Sequence, residues 1–195
     1  MSIAGGELAQ LLEVYSFLTT FGDALELEPL DFDAIEAGLR AAPSSSSRCI
    51  VDLHVALLKA LKGRGSVNVS NWLSHVRLAI DSRLAGGSGS AAWRSLRHGE
   101  DDAADSGGGI ASPLVETDYD GLELKSRLRI LQLLCDWQLS ENDALRSWIR
   151  SPAQRALLAG GGMRGRTIGS DARRKRYVMM QDGVGSVRIF RALDN

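Results

Sequence analysis

The chain has two cysteines, Cys49 and Cys135, and three histidines, His54, His75 and His98, with no Cys-x-x-Cys or His-x-x-x-His spacing. A metal site is therefore not expected. Both cysteines sit inside apolar helical patterns, which argues against a disulfide-stapled secreted fold. Long apolar runs are missing too. Ile50–Leu61 is interrupted by Asp52, His54 and Lys59, and Leu128–Cys135 by Arg129 and Gln132, short of the roughly 20 apolar residues that a membrane-spanning helix needs. The first residues, Met-Ser-Ile-Ala-Gly-Gly-Glu, have neither a basic n-region nor an apolar h-region, so a secretory leader is not expected. The glycine-rich stretches contain no Gly-x-x-x-x-Gly-Lys-Ser/Thr and no Gly-x-Gly-x-x-Gly between strand and helix. No histidine lies near a nucleophile-elbow sequence. An enzyme, a cofactor and a small-molecule substrate are all unsupported, and His54 beside an apolar helical face reads as a packed, hydrogen-bonded core histidine.

The 195 residues, 44% of them hydrophobic, can bury the core of one ordinary domain or two small helical units. The net charge of −1 conceals strong local imbalance. Residues 1–40 carry a net −7 and residues 100–123 a net −8, whereas residues 150–176 carry a net +7. A polyanion is drawn to the C-terminal third and repelled by the remainder.

Periodicity sets out the elements. Leu8, Leu11, Leu12, Tyr15 and Leu18 recur at three- and four-residue spacing and predict a first helix that stops at Phe21-Gly22. Asp31 can cap a second helix bearing Phe32, Ile35 and Leu39, bounded by Pro29 and Pro43. Ile50, Leu53, Leu57, Leu58 and Leu61 mark a third, and a Ser70 cap opens a fourth through Trp72, Val76, Ile80 and Leu84. These four make a bundle over 1–85. Residues 86–117 lose the pattern in Gly, Ser, Ala and Asp and read as a flexible acidic linker, with a helical turn around Trp93–Leu96. A second unit covers 118–195. Leu124, Leu128, Leu131 and Leu134 or Cys135 trace a helix, Ser140-Glu-Asn-Asp143 resembles a capping arrangement before Leu145, Trp148 and Ile149, and Pro152 opens a short helix. The period then changes: Arg176–Met180 and Ser186–Phe190 read as the strands of a hairpin turning at Asp182-Gly183 and Gly185. Helices followed by a hairpin suggest a winged-helix-like arrangement.

Arg173-Arg174-Lys175-Arg176 has three readings: a nuclear-import signal, a phosphate-binding patch joined by Arg164 and Arg166, or the solvated base of the hairpin. Phosphate contacts would make binding strongly salt-dependent.

Several segments carry a resemblance to the DDT domain, a small helical module of chromatin-remodelling accessory subunits. They are Val14–Leu18 with Phe21–Leu25, then Leu30–Leu39, then Ile50–Leu58 with its Leu-His-x-x-Leu-Leu core. Downstream, Leu122–Asp136 resembles the first WHIM motif, and Ile168-Gly-Ser-Asp171 followed by Arg176-Tyr177 resembles the Gly-x-Asp element that closes a WHIM region. The order and spacing resemble those of the DDT–WHIM partners of ISWI ATPases, the large subunit of remodelling and spacing factor among them.

That resemblance implies a mainly α fold, a DDT helical bundle packed with a helical WHIM region that ends in a β-hairpin. It implies a nuclear, non-catalytic accessory subunit docking on the C-terminal HAND–SANT–SLIDE region of an ISWI-type ATPase, contacting linker DNA and influencing nucleosome spacing. Carried over by motif, Asp171, with Gly169 and Tyr177, becomes the ATPase contact. Lys125, Arg127 and Arg129 become DNA neighbours, alongside Arg164, Arg166, Arg173, Arg174, Lys175 and Arg176. From the residues alone, Asp171 among arginines is equally an internal ion pair, and Lys125, Arg127 and Arg129 equally the wet side of an amphipathic helix. Two departures stand out: Tyr177-Val178 replaces the aromatic pair often found after Gly-x-Asp, and no PHD finger or bromodomain is present. The rival is a stand-alone winged-helix DNA-binding regulator, which the two acidic segments disfavour.

Overall fold

The computed structural model describes residues 5–41, 47–61, 67–85, 114, 118–157, 166–170, 176–181 and 187–191. Helix α1 (Gly5–Phe21) buries Leu11, Val14, Tyr15, Leu18 and Phe21. A 3-10 turn, Asp23–Leu25, follows and closes on Glu26 in the left-handed region at φ 54°. Helix α2 (Phe32–Arg40) starts at Asp31, whose carboxylate accepts the Asp33 amide at 2.9 Å, as the sequence predicts. Phe32, Ile35 and Leu39 all turn inward.

Helix α3 (Arg48–Ala60) crosses α2 closely enough that glycine is required at the crossing. A Cβ on Gly38 would stand 2.7 Å from both Ile50 Cγ1 and Ser47 Cβ. Helix α4 (Trp72–Ala85) begins from a reciprocal cap rather than from the expected Ser70. Asn68 Oδ1 accepts the Asn71 amide at 3.2 Å while Asn71 Oδ1 accepts the Asn68 amide at 2.7 Å, and Asn68 also takes the Ser70 amide and hydroxyl. The cap lies two residues earlier because asparagine serves both ends of a capping box. A similar shift occurs downstream, where Asn142, not Ser140, accepts the Leu145 amide at 3.0 Å.

After a 3-10 turn at Tyr119–Gly121 come α5 (Leu124–Glu141), α6 (Asp143–Arg150) and α7 (Pro152–Leu157). Helix α5 lies against α1, α2 and α3, so residues on both sides of the 86–117 stretch share one hydrophobic core running from Leu11 to Leu145. Leu114 corrects the reading of that stretch as linker throughout, since it is fully buried in the same core. A lone leucine between acidic and glycine-rich residues has no periodicity to announce its burial. The remainder of 86–117, including Trp93–Leu96, lies outside the described residues apart from Leu114.

Polar bolts cross the core at both ends of α5. Near its start the Arg127 guanidinium donates to backbone carbonyls of α2 and of the 3-10 turn. Near its end buried Gln138 donates to the Leu57 carbonyl of α3 at 2.6 Å and accepts from Asn142 at 2.9 Å. Arg83 of α4 pairs with Glu141 and stacks over Trp137, 3.9 Å from the ring centroid.

The C-terminal strands form a three-stranded antiparallel meander, β1 (Arg166–Ser170), β2 (Arg176–Gln181) and β3 (Val187–Arg191), in the order β1-β2-β3. The expected hairpin is β2–β3. Strand β1 is an addition, hidden in sequence by its glycine and shortness. Arg188 pairs with Asp33 and, at 3.4 Å, with Glu36, and lies over the Phe32 ring at 4.3 Å. Met180 packs against the core. The sheet is thus seated on the acidic side of α2.

His54 is fully buried, bonded through Nδ1 to the Ile50 carbonyl at 2.7 Å and boxed by Trp72 and Tyr119 with ring centroids 4.9 and 5.1 Å away. Burial pushes its pKa down to about 4 from 6.5, the bond to Ile50 opposing. The native imidazole stays neutral while the unfolded chain protonates below 6.5, so this group favours folding above that pH and loses its contribution as pH falls toward 4. The predicted loss is about 3 kcal/mol across the window, and His54→Leu should flatten the urea-midpoint profile between pH 7 and 4. Gly38→Ala should lower stability by about 1–3 kcal/mol through overpacking at the α2–α3 crossing, read by the same denaturation.

Candidate docking surface

Of the residues carried by the Gly-x-Asp element, the sheet brings together Gly169 and Tyr177. Gly169 pairs with Tyr177 across β1 and β2, immediately after a register shift between Thr167 and Gly169, and Ser170 pairs with Arg176. The bulge turns the strand and strengthens its twist where pairing resumes. Tyr177 is half-buried and engaged with neighbours. Asp171 follows β1 directly and, like Arg164, Arg173, Arg174 and Lys175, lies outside the described residues. Arg166 and Arg176 are placed through their backbones as the first residues of β1 and β2, with Arg166 opposite Met179.

The three basic residues of α5 part company. Lys125 is exposed. Arg127 is only 8% exposed, and its guanidinium is committed to four carbonyls: Leu122 at 2.9 Å, Leu39 at 3.0 Å, Ala41 at 2.9 Å and Asp120 at 2.8 Å. It has no face to offer phosphate, which corrects its assignment as a DNA neighbour. Arg129 is half-buried on the seam between α1 and α5, donating to Gln132 at 2.8 Å, and Gln132 in turn donates to Glu13 at 2.8 Å. Asp136 completes that seam. Burial raises its carboxyl, helped by Glu13 and opposed by Arg129.

The physical reason lies in helical geometry. At about 100° per residue, positions 125 and 127 are separated by about 200°, so Lys125 and Arg127 face opposite sides of α5. Arg127 falls on the side of Leu124, Leu128 and Leu131.

Arg188 was missed by sequence reasoning although it seats the sheet. The signal was the alternation Val187-Arg188-Ile189, which puts the arginine on one face and the two β-branched residues on the other. Val187 and Ile189 are 54% and 60% exposed. Elsewhere, a groove of about 490 Å³ is floored by Ala24, Val55, Ala56 and Ala60 and edged by Glu26 and Lys59, without a histidine, cysteine or serine in its wall. Among the described residues no cluster of His, Cys, Asp and Glu could hold a metal ion, and no helix is long and apolar enough to cross a membrane.

Residues 7–63, spanning α1 to the end of α3, match the DDT domain family, a module found in chromatin-remodelling-associated proteins. No curated protein and no solved structure matches the chain. The match gives the protein a coarse chromatin connection, with which a nuclear location agrees.

Arg127 and Lys125 give opposite expectations. Arg127→Met leaves two buried and two part-buried carbonyls without their donor and should lower unfolding free energy by about 3 kcal/mol. Lys125→Ala should stay within about 0.5 kcal/mol of wild type. Equal midpoints for the two variants in a urea titration would overturn the placement of Arg127.

Proposed function

We propose that this protein is a non-catalytic accessory subunit of an ISWI-type chromatin-remodelling ATPase. In this reading the DDT bundle is the platform, and residues 118–195 act as a WHIM-like region that docks on the HAND–SANT–SLIDE end of the ATPase through Asp171, Gly169 and Tyr177. Lys125 and the arginines at 164, 166, 173, 174 and 176, with Lys175, face linker DNA, so that the subunit influences nucleosome spacing and transcription. Arg127 is not among these DNA contacts.

The observation that carries the reading is the joining of a DDT match over 7–63 to a second helical unit laid into the same core, with the Gly169–Tyr177 pair at the end of its sheet. Charge supports a protein partner ahead of DNA, because the −7 of residues 1–40 repels a polyanion. Part of that acidity is already neutralised internally by Arg188 on Asp33 and Glu36.

One observation favours a second reading. A small antiparallel sheet following helices is also the layout of a winged-helix DNA-binding regulator. Co-elution with a HAND–SANT–SLIDE fragment separates the two: a stable complex weakened by Asp171→Ala, at unchanged thermal stability, is the expected result. Absence of a complex at micromolar concentrations, together with salt-dependent duplex binding, would replace the adaptor with the regulator.

A further inference from the structure

We propose that the groove between α3 and the 3-10 turn Asp23–Leu25 is a docking site for a short basic segment of a partner protein, which lays small apolar side chains against α3 and a lysine or arginine at Glu26. The groove, of about 490 Å³, takes one side from a single face of α3, since Asp52, Val55, Ala56, Lys59 and Ala60 follow the i, i+3, i+4, i+7, i+8 repeat of a helix. Val55 is buried at its base, Ala56 and Ala60 are half-buried, and Asp52 and Lys59 are exposed. Alanines four residues apart share that face and leave room for an incoming backbone to approach closely. Ala24, Leu25 and Glu26 line the groove from the turn, and the start of α6 also borders it.

The charge of the groove defines what fits. Residues 22–31 contain Asp23, Glu26, Glu28 and Asp31 and no base. Asp23, Glu26 and Glu28 are exposed and form no ion pair among the described residues. On α3, Asp52 has only a loose partner in Arg48 at 3.5 Å, with both side chains exposed. Burial pushes the Cys49 thiol up, and Asp52 and Asp31 add to it, so these two carboxylates converge on the start of α3. Lys59 is the one base of the lining and leaves the balance acidic.

Glu26 itself is not what its turn requires. Among the described residues it is the one non-glycine position with positive φ, at 54°. Backbone bonds close the turn, the Glu26 amide donating to the Asp23 carbonyl at 3.3 Å and the Leu27 amide to the Gly22 carbonyl at 2.9 Å. Glycine makes both bonds without the steric cost that a Cβ meets in this region. A glutamate kept there at a conformational cost, on the wall of a groove, points to a use for its carboxylate. Nucleic acid is repelled by such a wall, and a second copy of the groove fits poorly because two acidic walls would face each other. The site shares no residue with the Gly169–Tyr177 pair and does not rest on the ATPase reading.

The test uses the full chain and a short fluorescein-labelled peptide in which alanines alternate with lysines and arginines, beside a control peptide with glutamine at every base. Binding of the parent peptide at about 100 μM, weakening as salt is raised, and no binding of the control are expected. Glu26→Gln should weaken binding about threefold to fivefold, the upper range of an exposed ion pair. Glu26→Gly should weaken it equally while the melting temperature holds or rises. Ala56→Leu, whose larger side chain enters the groove, should weaken it more than about tenfold at unchanged melting temperature. Glu7→Gln removes the same charge from the acidic first forty residues but outside the groove, and should leave binding unchanged. No binding at about 1 mM peptide, equal binding by the glutamine peptide, or equal weakening by Glu7→Gln and Glu26→Gln would overturn the proposal. So would full binding by Ala56→Leu.

Discussion

The guanidinium of Arg127 is the constraint on which the arrangement of the helices turns. The last carbonyls of an α-helix have no partner within the helix, and Leu39 at the end of α2 and Ala41 just beyond it present theirs to the interior. Across from them the 3-10 turn presents the carbonyls of Asp120 and Leu122. One planar fork with five N–H donors satisfies all four at once. A lysine, with three donors on one nitrogen, could not span the two groups. Because the fork sits on α5, it fixes the end of α2, the turn before α5 and α5 itself in one step. The consequence reaches the sheet, since Arg188 finds Asp33, Glu36 and the Phe32 ring only where α2 has been placed.

The far end of α5 is held by different means. Gln138 bonds the Leu57 carbonyl, and Asn142 links Gln138 to the first turn of α6. Between the two bolts the buried contacts are apolar and nondirectional, from Leu128, Leu131 and Leu134 against α1, α2 and α3, with the Gln132–Glu13 bond at the more exposed margin toward α1. Polar groups at both ends specify the register of a seam whose stability comes mainly from burial. The exposed or half-exposed ion pairs, such as Arg77 with Asp118, add about 0–1 kcal/mol each and orient rather than stabilise.

Much of this was legible in the sequence where the signal is local. The stripe of Leu11, Tyr15 and Leu18, the Asp31 cap and the face of Leu53, Leu57 and Leu58 need no information beyond a few neighbouring residues. Caps were misplaced by two residues at Asn68 and Asn142, because serine and asparagine compete for the role and only backbone geometry chooses. The Arg188 seat depends on a partner 152 residues away in sequence, whereas β1 pairs with its neighbour β2 and escapes notice because it is short and interrupted by glycine, and Leu114 stands alone with no periodicity around it. Arg127 is a different case. Its position on the apolar side of α5 was available from helical phase, but a basic residue between two others reads by habit as solvated surface.

The functional consequences follow from a shared core. The DDT match ends before α4, yet α5 packs on its helices directly, so a partner held by the sheet is held by the bundle as well. Whether the two parts behave as one body is measurable by native-state hydrogen exchange on wild type and Arg127→Met. With a single core, the slowest amides of α1, α3 and α5 open with one common free energy in wild type and accelerate by the same factor in the variant. Acceleration confined to α2 and the Tyr119–Gly121 turn, with α1 and α5 unchanged, would contradict it.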